Sequence, residues 1–375
     1  MEWKNMVQRD ADGVTGIILI GSAGSGNLEG GKNPEGSKRS EGCKRKAYFE
    51  QAAAEADVRV TFYDWKDFPF TESIAEIENS IVKIDAPEWD SCRLKELDEL
   101  TGRYREQLLG LSRMPFGAFL NHPVDIAEAL DKRKCKERLK GNGVPVTEMY
   151  DGTFSRKDDL LDFMRENGIH QVFIKPTRGS GAAGVTAFRF SPAKGRMALY
   201  TCAALDRGEL VNTKKLYRFE GEDAGHLLER LLELDCVAEK WYRKAVFQEY
   251  SYDLRVVVQD GRVDYILPRL SKGPITNLHL NNHSMEFKAL KLNQAVVRSI
   301  EETCVMAAGC YPRLKSIGMD VLLEKESLKP YVIEMNAQGD LLHRDVYGEN
   351  RIYRRQIEIM RGMMEGLLQN RNRKE

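Results

Sequence analysis

The sequence lacks net charge, paired-cysteine motifs, apolar runs of membrane length and any repeat of fixed period. Lys plus Arg and Asp plus Glu each total 57, so no overall basic field exists to gather nucleic acid or hold the chain on an anionic membrane. The seven cysteines, at 43, 92, 135, 202, 236, 304 and 310, are odd in number and include no C-x-x-C pair. That pattern argues against a disulfide framework or a zinc site and fits reduced thiols. The opening "MEWKNMVQRDADG" has no signal-peptide core, and no apolar stretch is long enough to span a bilayer. A cytoplasmic protein is expected, with neither nucleic acid nor membrane as a partner. The short basic tail "QNRNRKE" reads as a solvated end. His279, His283 and His343 show no metal-ligand spacing.

What is present is the composition of an ordinary soluble protein, in a chain long enough for two or three globular units. "GVTGIILIGSAGSG" reads as a buried strand running into a glycine loop, and residues 27–46 read as a polar continuation of that loop. A helix over "AYFEQAAAEA", a strand over "VRVTFYDW", a strand at "IVKIDAP" and a helix over 91–111 follow. This order predicts a small α/β unit with parallel strands over residues 1–122. From Asp125 one helical pattern runs to Gly143, with Pro145 beyond it as expected after a helix end. Then come a helix near 156–167, strands at "QVFIKP", "VTAFRF" and "RMALYTCAAL", and a helix over 221–235. "AVFQEYSYDLRVVVQDGRVDYILPRL" reads as strand, turn, strand with Asp260–Gly261 at the turn. A helix over 293–309, a hairpin over 316–336 and a terminal helix from about Ile352 close the chain.

Two glycine loops invite a phosphate reading. In the first, Gly21, Gly24 and Gly26 have the spacing G-x-x-G-x-G rather than G-x-G-x-x-G. Gly26, Gly31 and Lys32 begin a Walker signature, but Asn33 stands where a Ser or Thr should follow, and Asn33–Pro34 opens more loop instead of a helix. This segment is expected to line an acceptor cleft as a strand-end loop. The second, "FIKPTRGSGAAGV", ends an apolar strand on Lys175. The loop's Gly179, Gly181 and Gly184 permit a backbone nest for an anion, with Arg178 and Ser180 as further donors. A plain hairpin turn explains the same pattern equally well.

In "GMDVLLEKESLKPYVIEMNAQGD" two short apolar runs flank a polar turn. Paired as a hairpin centred near Ser327, they set Asp320 opposite Glu334, with Asn336 on the same strand face as Glu334. Two carboxylates and an amide oxygen form a hard-oxygen set suited to Mg²⁺. Without a cation, two opposed acids in an apolar hairpin repel. The competing reading is a solvated hairpin whose acids face water.

A phosphate-binding lysine with its glycine loop, followed by a D…E-x-N hairpin, resembles the ATP-grasp superfamily. Asp131–Lys132 and Gly143–Val144–Pro145 match its D-K…G-[IVL]-P segment. "DLRVVVQDGRV" and "RLSKGPITNLHLNN" are similar to its glutamate-ligase-like branch, related to the endospore-coat-associated proteins. The resemblance covers about residues 120–340. It implies a two-part ATP-grasp fold, with a lid-bearing subdomain over 123–250 and a metal-bearing one over 251–375. It implies ATP held by Lys132, Lys175, Arg178, Gly179, Ser180, Gly181 and Gly184, with Gln248, Glu249 and Tyr250 bordering the base. Asp253 and Asn277 would stand near the nucleotide, and Asp320, Glu334 and Asn336 would hold Mg²⁺. Arg255 and Arg269 would stabilise charge in the reaction. The usual ending E-x-N-x-x-P-G is replaced here by Glu334-Met335-Asn336-Ala337-Gln338-Gly339-Asp340.

The bland readings stay open at this point. Lys132 sits on a helix crowded with basic residues, Arg255 needs either a phosphate or a structural carboxylate, and Asp253 can cap a turn. Met360, Met363 and Met364 read as packing residues. The expected activity is ATP-dependent joining of a carboxylate to an amine through an acyl phosphate, on small-molecule or peptide substrates. The alternatives are a nucleotide-binding sensor or scaffold that keeps the fold, and a phosphotransferase. Self-association into a homo-oligomer is compatible with either.

Overall fold

The computed structural model describes residues 16–23, 40–69, 80–179, 182–280 and 282–372. The parts of the two glycine loops at 24–39 and 180–181, including Ser180 and Gly181, lie outside the described residues. Three sheets organise the described residues; the first is covered by helices on both faces, and the second and third each pack helices on the face away from the cleft between them.

The first sheet has the order β2-β1-β3-β4, all parallel, from β1 (Ile17–Gly21), β2 (Val60–Asp64), β3 (Ile81–Ile84) and β4 (Ala118–Phe119). Its central strand is apolar throughout because both faces are covered. Ile18 and Ile20 face Tyr104, Leu108 and Leu111 of α2 (Leu94–Leu111), while Ile17 and Leu19 face Phe49, Ala52 and Ala53 of α1 (Glu41–Glu55). Helix α1 starts six residues earlier than the sequence pattern predicts. Ser40 caps it, its hydroxyl accepting from the Cys43 N–H at 3.3 Å, so basic residues read as loop form its first turn.

The single helix expected from Asp125 is two: α3 (Pro123–Ala129) and α4 (Lys132–Gly141). The break is made by Asp131, whose carboxylate accepts from the Lys134 N–H at 3.1 Å and caps α4. Gly143, at φ +77°, ends the segment as expected.

The second sheet is antiparallel, in the order β8-β7-β6-β5-β9. Its strands are β5 (Gln171–Pro176), β6 (Thr186–Ser191), β7 (Arg196–Asp206), β8 (Glu209–Glu220) and β9 (Cys236–Lys240). Helices α5 (Lys157–Glu166) and α6 (Gly221–Leu232) pack Leu160, Met164, Leu227, Leu228 and Leu231 onto Val172, Ile174, Phe188 and Leu199. Period-two alternation therefore turns Phe173 and Lys175 to the other face. Strand β8 has no counterpart in the sequence reading. Its "NTKKLYRFE" is too charged for a buried strand, but β8 is an edge strand, joined to β7 by a turn with Arg207 and Gly208 at positive φ.

The third sheet runs β13-β12-β11-β14-β15, with β10 (Val246–Phe247) added beside β11. Its other members are β11 (Tyr250–Gln259), β12 (Arg262–Ser271), β13 (His283–Ser284), β14 (Ser316–Leu323) and β15 (Pro330–Asn336). Leu254, Val256, Met319 and Val321 pack on Ile300, Cys304 and Ala307 of α7 (Gln294–Gly309). The Asp260–Gly261 turn joins β11 to β12, both residues at positive φ. After the short α8 (His343–Val346), helix α9 (Arg351–Asn372) packs Tyr353, Ile357 and Met360 on the first sheet, and Ile352 against Val257 and Leu267 of the third. Met363 and Met364 lie partly buried beside them.

A buried polar junction joins the first sheet to the end of β15. Lys83 pairs with Asp85 and, at 3.0 Å, with Asp340, and Arg45 also pairs with Asp340. Gln338 donates to the Ile84 carbonyl at 3.0 Å and the Tyr104 hydroxyl at 2.7 Å, and Gln356 donates to Asp340 at 3.0 Å. Asn121 completes it, accepting from the Lys315 and Ser316 N–H groups and donating to the Ser316 and Ala337 carbonyls. Burial by itself would raise the Asp340 acid, but Lys83 and Arg45 outweigh it and bring it down to about 2. Lys83→Met is expected to leave two buried carboxylates short of a cation and to lower unfolding free energy by about 3–5 kcal/mol. Urea denaturation measures this, and a loss under about 1 kcal/mol contradicts the junction.

Candidate nucleotide cleft

The second and third sheets face one another across a cleft of about 740 Å³ that opens to solvent. Residues from both sheets and from the start of α4 line it: five cations (Lys132, Lys175, Lys240, Lys244, Arg269) and four carboxylates (Glu239, Asp253, Asp320, Glu334). Phe173, Ala182, Ala183 and Val185 form one apolar wall, and Tyr242, Ile275, Leu322 and Ile333 add apolar surface to the lining. The cleft thus combines apolar surface with a charged interior in which cations are in excess. That combination suits a ligand with a flat apolar part and a polyanionic part.

The basic pole is built on α4 and β5. Lys132 is the first residue of α4; its N–H donates to the Thr177 carbonyl at 3.0 Å and its ammonium to the Gly179 carbonyl at 2.9 Å, so it anchors the entry of the glycine loop. Burial lowers the Lys132 ammonium below the usual lysine range. Lys175 projects from β5 to Glu239 of β9 at 2.8 Å. Glu239 also pairs with Lys136, one turn beyond Lys132, at 2.7 Å, and accepts from the Thr147 hydroxyl at 3.0 Å. Burial alone would raise the Glu239 acid, but Lys136 and Lys175 outweigh it and bring it down to about 2.

The acidic pole is built on the third sheet. Asp320 lies opposite Glu334 in the β14–β15 pairing, as expected, and Gly318 opposite Asn336; a register shift between Asp320 and Val321 brings this about, since Val321 pairs with Val332 on the turn side. The repulsion between opposed acids is relieved by two guanidiniums. Arg255, paired across from Asp320 on β11, reaches it at 3.0 Å, and Arg269 of β12 reaches it at 2.9 Å. Arg269 continues to Asp253 at 2.8 Å, and Asp253 accepts from Lys244 at 3.0 Å and from the Thr276 hydroxyl. The outcome is a row of alternating charge, Lys244–Asp253–Arg269–Asp320–Arg255, along the sheet face. Burial opposes ionisation of Asp253, but Arg269 and Lys244 prevail and hold its acid well below the usual carboxylate range.

Among the site residues expected from sequence, Lys132, Lys175, Gly179, Asp253, Arg269, Asn277, Asp320 and Glu334 line this one cleft. Others stand elsewhere. Arg178 turns outward to Asp98 of α2 at 3.3 Å and Asp235 at 3.9 Å, because two carboxylates wait on that side. Gly184 lies against Pro176 and Leu94, where a Cβ would come within 2.8 Å of the proline ring, so its role is close packing at φ +70°. Gln248, Glu249 and Tyr250, expected to border the base, are not among the residues that line the cleft. They form the turn from β10 into β11, with Gln248 at φ +55° and Glu249 paired to exposed Lys272. The cleft edge at that level is made instead by Glu239, Lys240 and Tyr242. Arg255 sits behind Asp320, and Asn336 folds its carbonyl onto the Gln338 N–H at 2.9 Å.

Sequence reasoning missed Lys136, Thr147, Glu239, Lys244 and Thr276. Two signals were available: Lys136 lies four residues from Lys132, on the same helix face, and Glu239 interrupts the otherwise apolar "CVA" of a strand.

The acidic pole passes a test for Mg²⁺. The Asp320 Oδ1 is buried and accepts no hydrogen bond, although the Arg255 Nε lies 3.0 Å away, and the Glu334 carboxylate has no hydrogen bond or ion pair among the described residues. Hard oxygen donors left short of partners suit a small divalent cation. The turn after β15 is tight here: a Cβ on Gly318 would fall 2.5 Å from the Gly339 carbonyl and 3.0 Å from Arg255. Gly318→Ala is therefore expected to cost about 1–3 kcal/mol by overpacking. An unchanged urea midpoint contradicts that packing.

No family model matches the chain, and no curated protein matches it in sequence. Solved structures do. The D-cycloserine synthetase DcsG superposes with a TM-score of 0.59 at 14% identity, covering 92% of this chain and 100% of its own. The macrocyclase MdnC from Microcystis aeruginosa MRC, bound with precursor peptide MdnA, gives 0.56 at 13% identity over 92% of this chain and 99% of its own. The ATP-grasp ligase PsnB, complexed with a minimal precursor, Mg and ADP, gives 0.53 at 16% identity over 96% and 100%. No helix among the described residues is long and apolar enough to cross a membrane. The fold of this chain is the ATP-grasp fold.

Proposed function

We propose that the protein is an ATP-dependent ligase that joins a carboxylate to an amine through an acyl phosphate. The observation that carries the reading is that Lys132 and Lys175 line the same cleft as Asp320 and Glu334. A lysine pair alone would bind any anion, and a carboxylate pair alone any divalent cation. Together in one cleft they suit a triphosphate carrying a metal.

On this reading the base lies against Phe173, Val185, Tyr242 and Ile275, and Lys132 and Lys175 take the phosphates as point charges. Asp320 and Glu334, with Asn336 beside them, would hold Mg²⁺, which when bound neutralises charge on the phosphates. The substrate carboxylate attacks the γ-phosphorus and ADP leaves; the amine then attacks the acyl carbon and phosphate leaves. Arg269, which lines the cleft next to Asp320, is placed to stabilise the negative charge that develops on the acyl oxygen. Arg255 acts through Asp320. Ala182 and Ala183, at the end of the glycine loop, line the cleft, and on this reading the loop would close over the site to keep water from the acyl phosphate.

The carboxylate and amine are small molecules or peptides. DcsG, a D-cycloserine synthetase, supports the first class, and MdnC and PsnB, each solved with a precursor peptide, support the second.

ADP release that depends on both an added carboxylate and an added amine is the expected result, followed by mass spectrometry across amino acids and peptides. ATP binding without any such release would sink the ligase reading in favour of a sensor. ADP formed with a phosphorylated product and no amide would favour a phosphotransferase. Asp320→Asn and Glu334→Gln are expected to abolish turnover with the fold retained, and near-normal turnover in either removes the metal assignment. Lys175→Ala is expected to weaken ATP binding by about 1–3 kcal/mol, measured by calorimetry.

A further inference from the structure

The cation nearest the phosphate-facing lysines that does not itself line the cleft is Lys136. Its helix α4 belongs to the third-sheet side of the molecule: Cys135 and Leu139 pack in the same core as Val332, Met335 and α7. Glu239 and Lys175 belong to the second sheet, where Ala238 and Ile174 pack under α5 and α6. The Lys136–Glu239 pair at 2.7 Å therefore crosses from one half of the cleft to the other. Thr147 sits at the crossing. Its N–H donates to the Val332 carbonyl at 3.0 Å, and its hydroxyl accepts from Lys136 at 2.8 Å and donates to Glu239 at 3.0 Å. Glu239 presents its remaining reach to Lys175 at 2.8 Å. All four side chains are buried.

We propose that Lys136 is a positioning residue for the phosphate pole: through Glu239 it fixes where Lys175 stands and ties the two halves of the cleft together at its floor. This rests on the nucleotide reading of the cleft and adds a residue to it. The charge arithmetic supports the role. Glu239 alone would neutralise Lys175 and leave it a poor phosphate ligand. Shared between two lysines, one carboxylate leaves a net positive charge, so Lys175 keeps its pull on an anion while its direction stays fixed. The groups facing Lys136 are Glu239 of β9, Lys175 of β5, the Thr147 hydroxyl and, farther off, Glu334 of β15. Burial outweighs the attraction of Glu239 and lowers the Lys136 ammonium to about 8. An incoming polyanion favours the charged form, so nucleotide affinity should fall as pH rises through that value.

The test uses the full chain with ADP as the probe, Mg²⁺ present, and calorimetry from about pH 7 to about pH 9. The unaltered protein is expected to bind ADP and to lose affinity across this range. Lys136→Met should bind about tenfold more weakly at neutral pH, with the pH dependence gone. Lys136→Arg, which keeps the charge but does not titrate here, should retain neutral-pH affinity and show a flat profile. It carries the test if Lys136→Met fails to fold, as a thermal melt will show. Binding by either variant with the native affinity and the native pH slope overturns the positioning role while leaving the nucleotide cleft in place. No ADP binding by the unaltered protein overturns both.

Discussion

Two carboxylates cannot stand opposed on a buried strand pair unless cations compensate them. Asp320 and Glu334 are opposed in this way, and the sheet around them is organised by that need. Strands β11 and β12 supply Arg255 and Arg269 to Asp320, and the second of these draws in Asp253, which draws in Lys244. Each charge is satisfied by its neighbour, so removing one leaves the next uncompensated. An apolar face of the same volume would be at least as stable, since desolvation consumes much of the attraction in buried ion pairs. The row is therefore a poor device for holding the sheet together. It is a sound device for keeping carboxylate oxygens fixed, ionised and facing a cleft.

The opposite sheet answers with the reverse polarity. Alternation along β5 sends Val172 and Ile174 into the core and Phe173 and Lys175 into the cleft, so a single strand supplies both an apolar wall and a cation. Helix α4 adds Lys132 because Asp131 caps it, which sets the first helical residue at the mouth of the glycine loop. The D-K pair thus has a structural half and a chemical half. The aspartate starts the helix, and the lysine it places faces the cleft.

Much of this was legible in the sequence because it rests on short-range periodicity. The two apolar runs about the polar turn near Ser327 announce the hairpin, in which a register shift beside Asp320 opposes it to Glu334, and the alternation of "QVFIKP" fixes the face of Lys175. What the sequence hid depends on which distant group arrives. Arg178 could have faced a phosphate, but Asp98 of the first unit and Asp235 hold it outside. "FQEY" looked like a base-binding hinge, yet only Ser251 and Tyr252 separate it from Asp253, too short a span to leave one sheet and return. The chain resolves this by making a tight turn there and moving the cleft edge back to Glu239–Tyr242. Lys136 was hidden by its neighbours: its spacing puts it on the same face of α4 as Lys132, but only burial and Glu239 single it out from the other basic residues there. Edge strand β8 was lost to its charge, which is what an edge strand carries to avoid mispairing.

The segment after the acidic strand is where this chain departs from the familiar pattern, and the structure gives the departure a physical content. Asn336 turns onto the Gln338 N–H, Gly339 admits the backbone against Gly318 and Arg255, and Gln338 and Asp340 run into the first unit to meet Ile84, Tyr104, Lys83 and Arg45. A loop committed at both ends to such contacts has its Asn336, Gln338 and Asp340 side chains engaged within the protein. On the proposed reading the task of orienting an acceptor passes to the strand ends of the first sheet. Those loops are themselves interlocked there: the Ala23 N–H donates to Asp64, the Ser22 hydroxyl accepts from the Glu88 N–H, and Glu88 accepts from the Gly42 N–H. The ends of parallel strands are where open α/β sheets bind ligands. The junction at Asp340 then has a second consequence. It ties the unit that would choose the acceptor to the strand that would hold the metal through buried ion pairs and hydrogen bonds, so on the proposed reading one polar network sets acceptor and metal relative to each other.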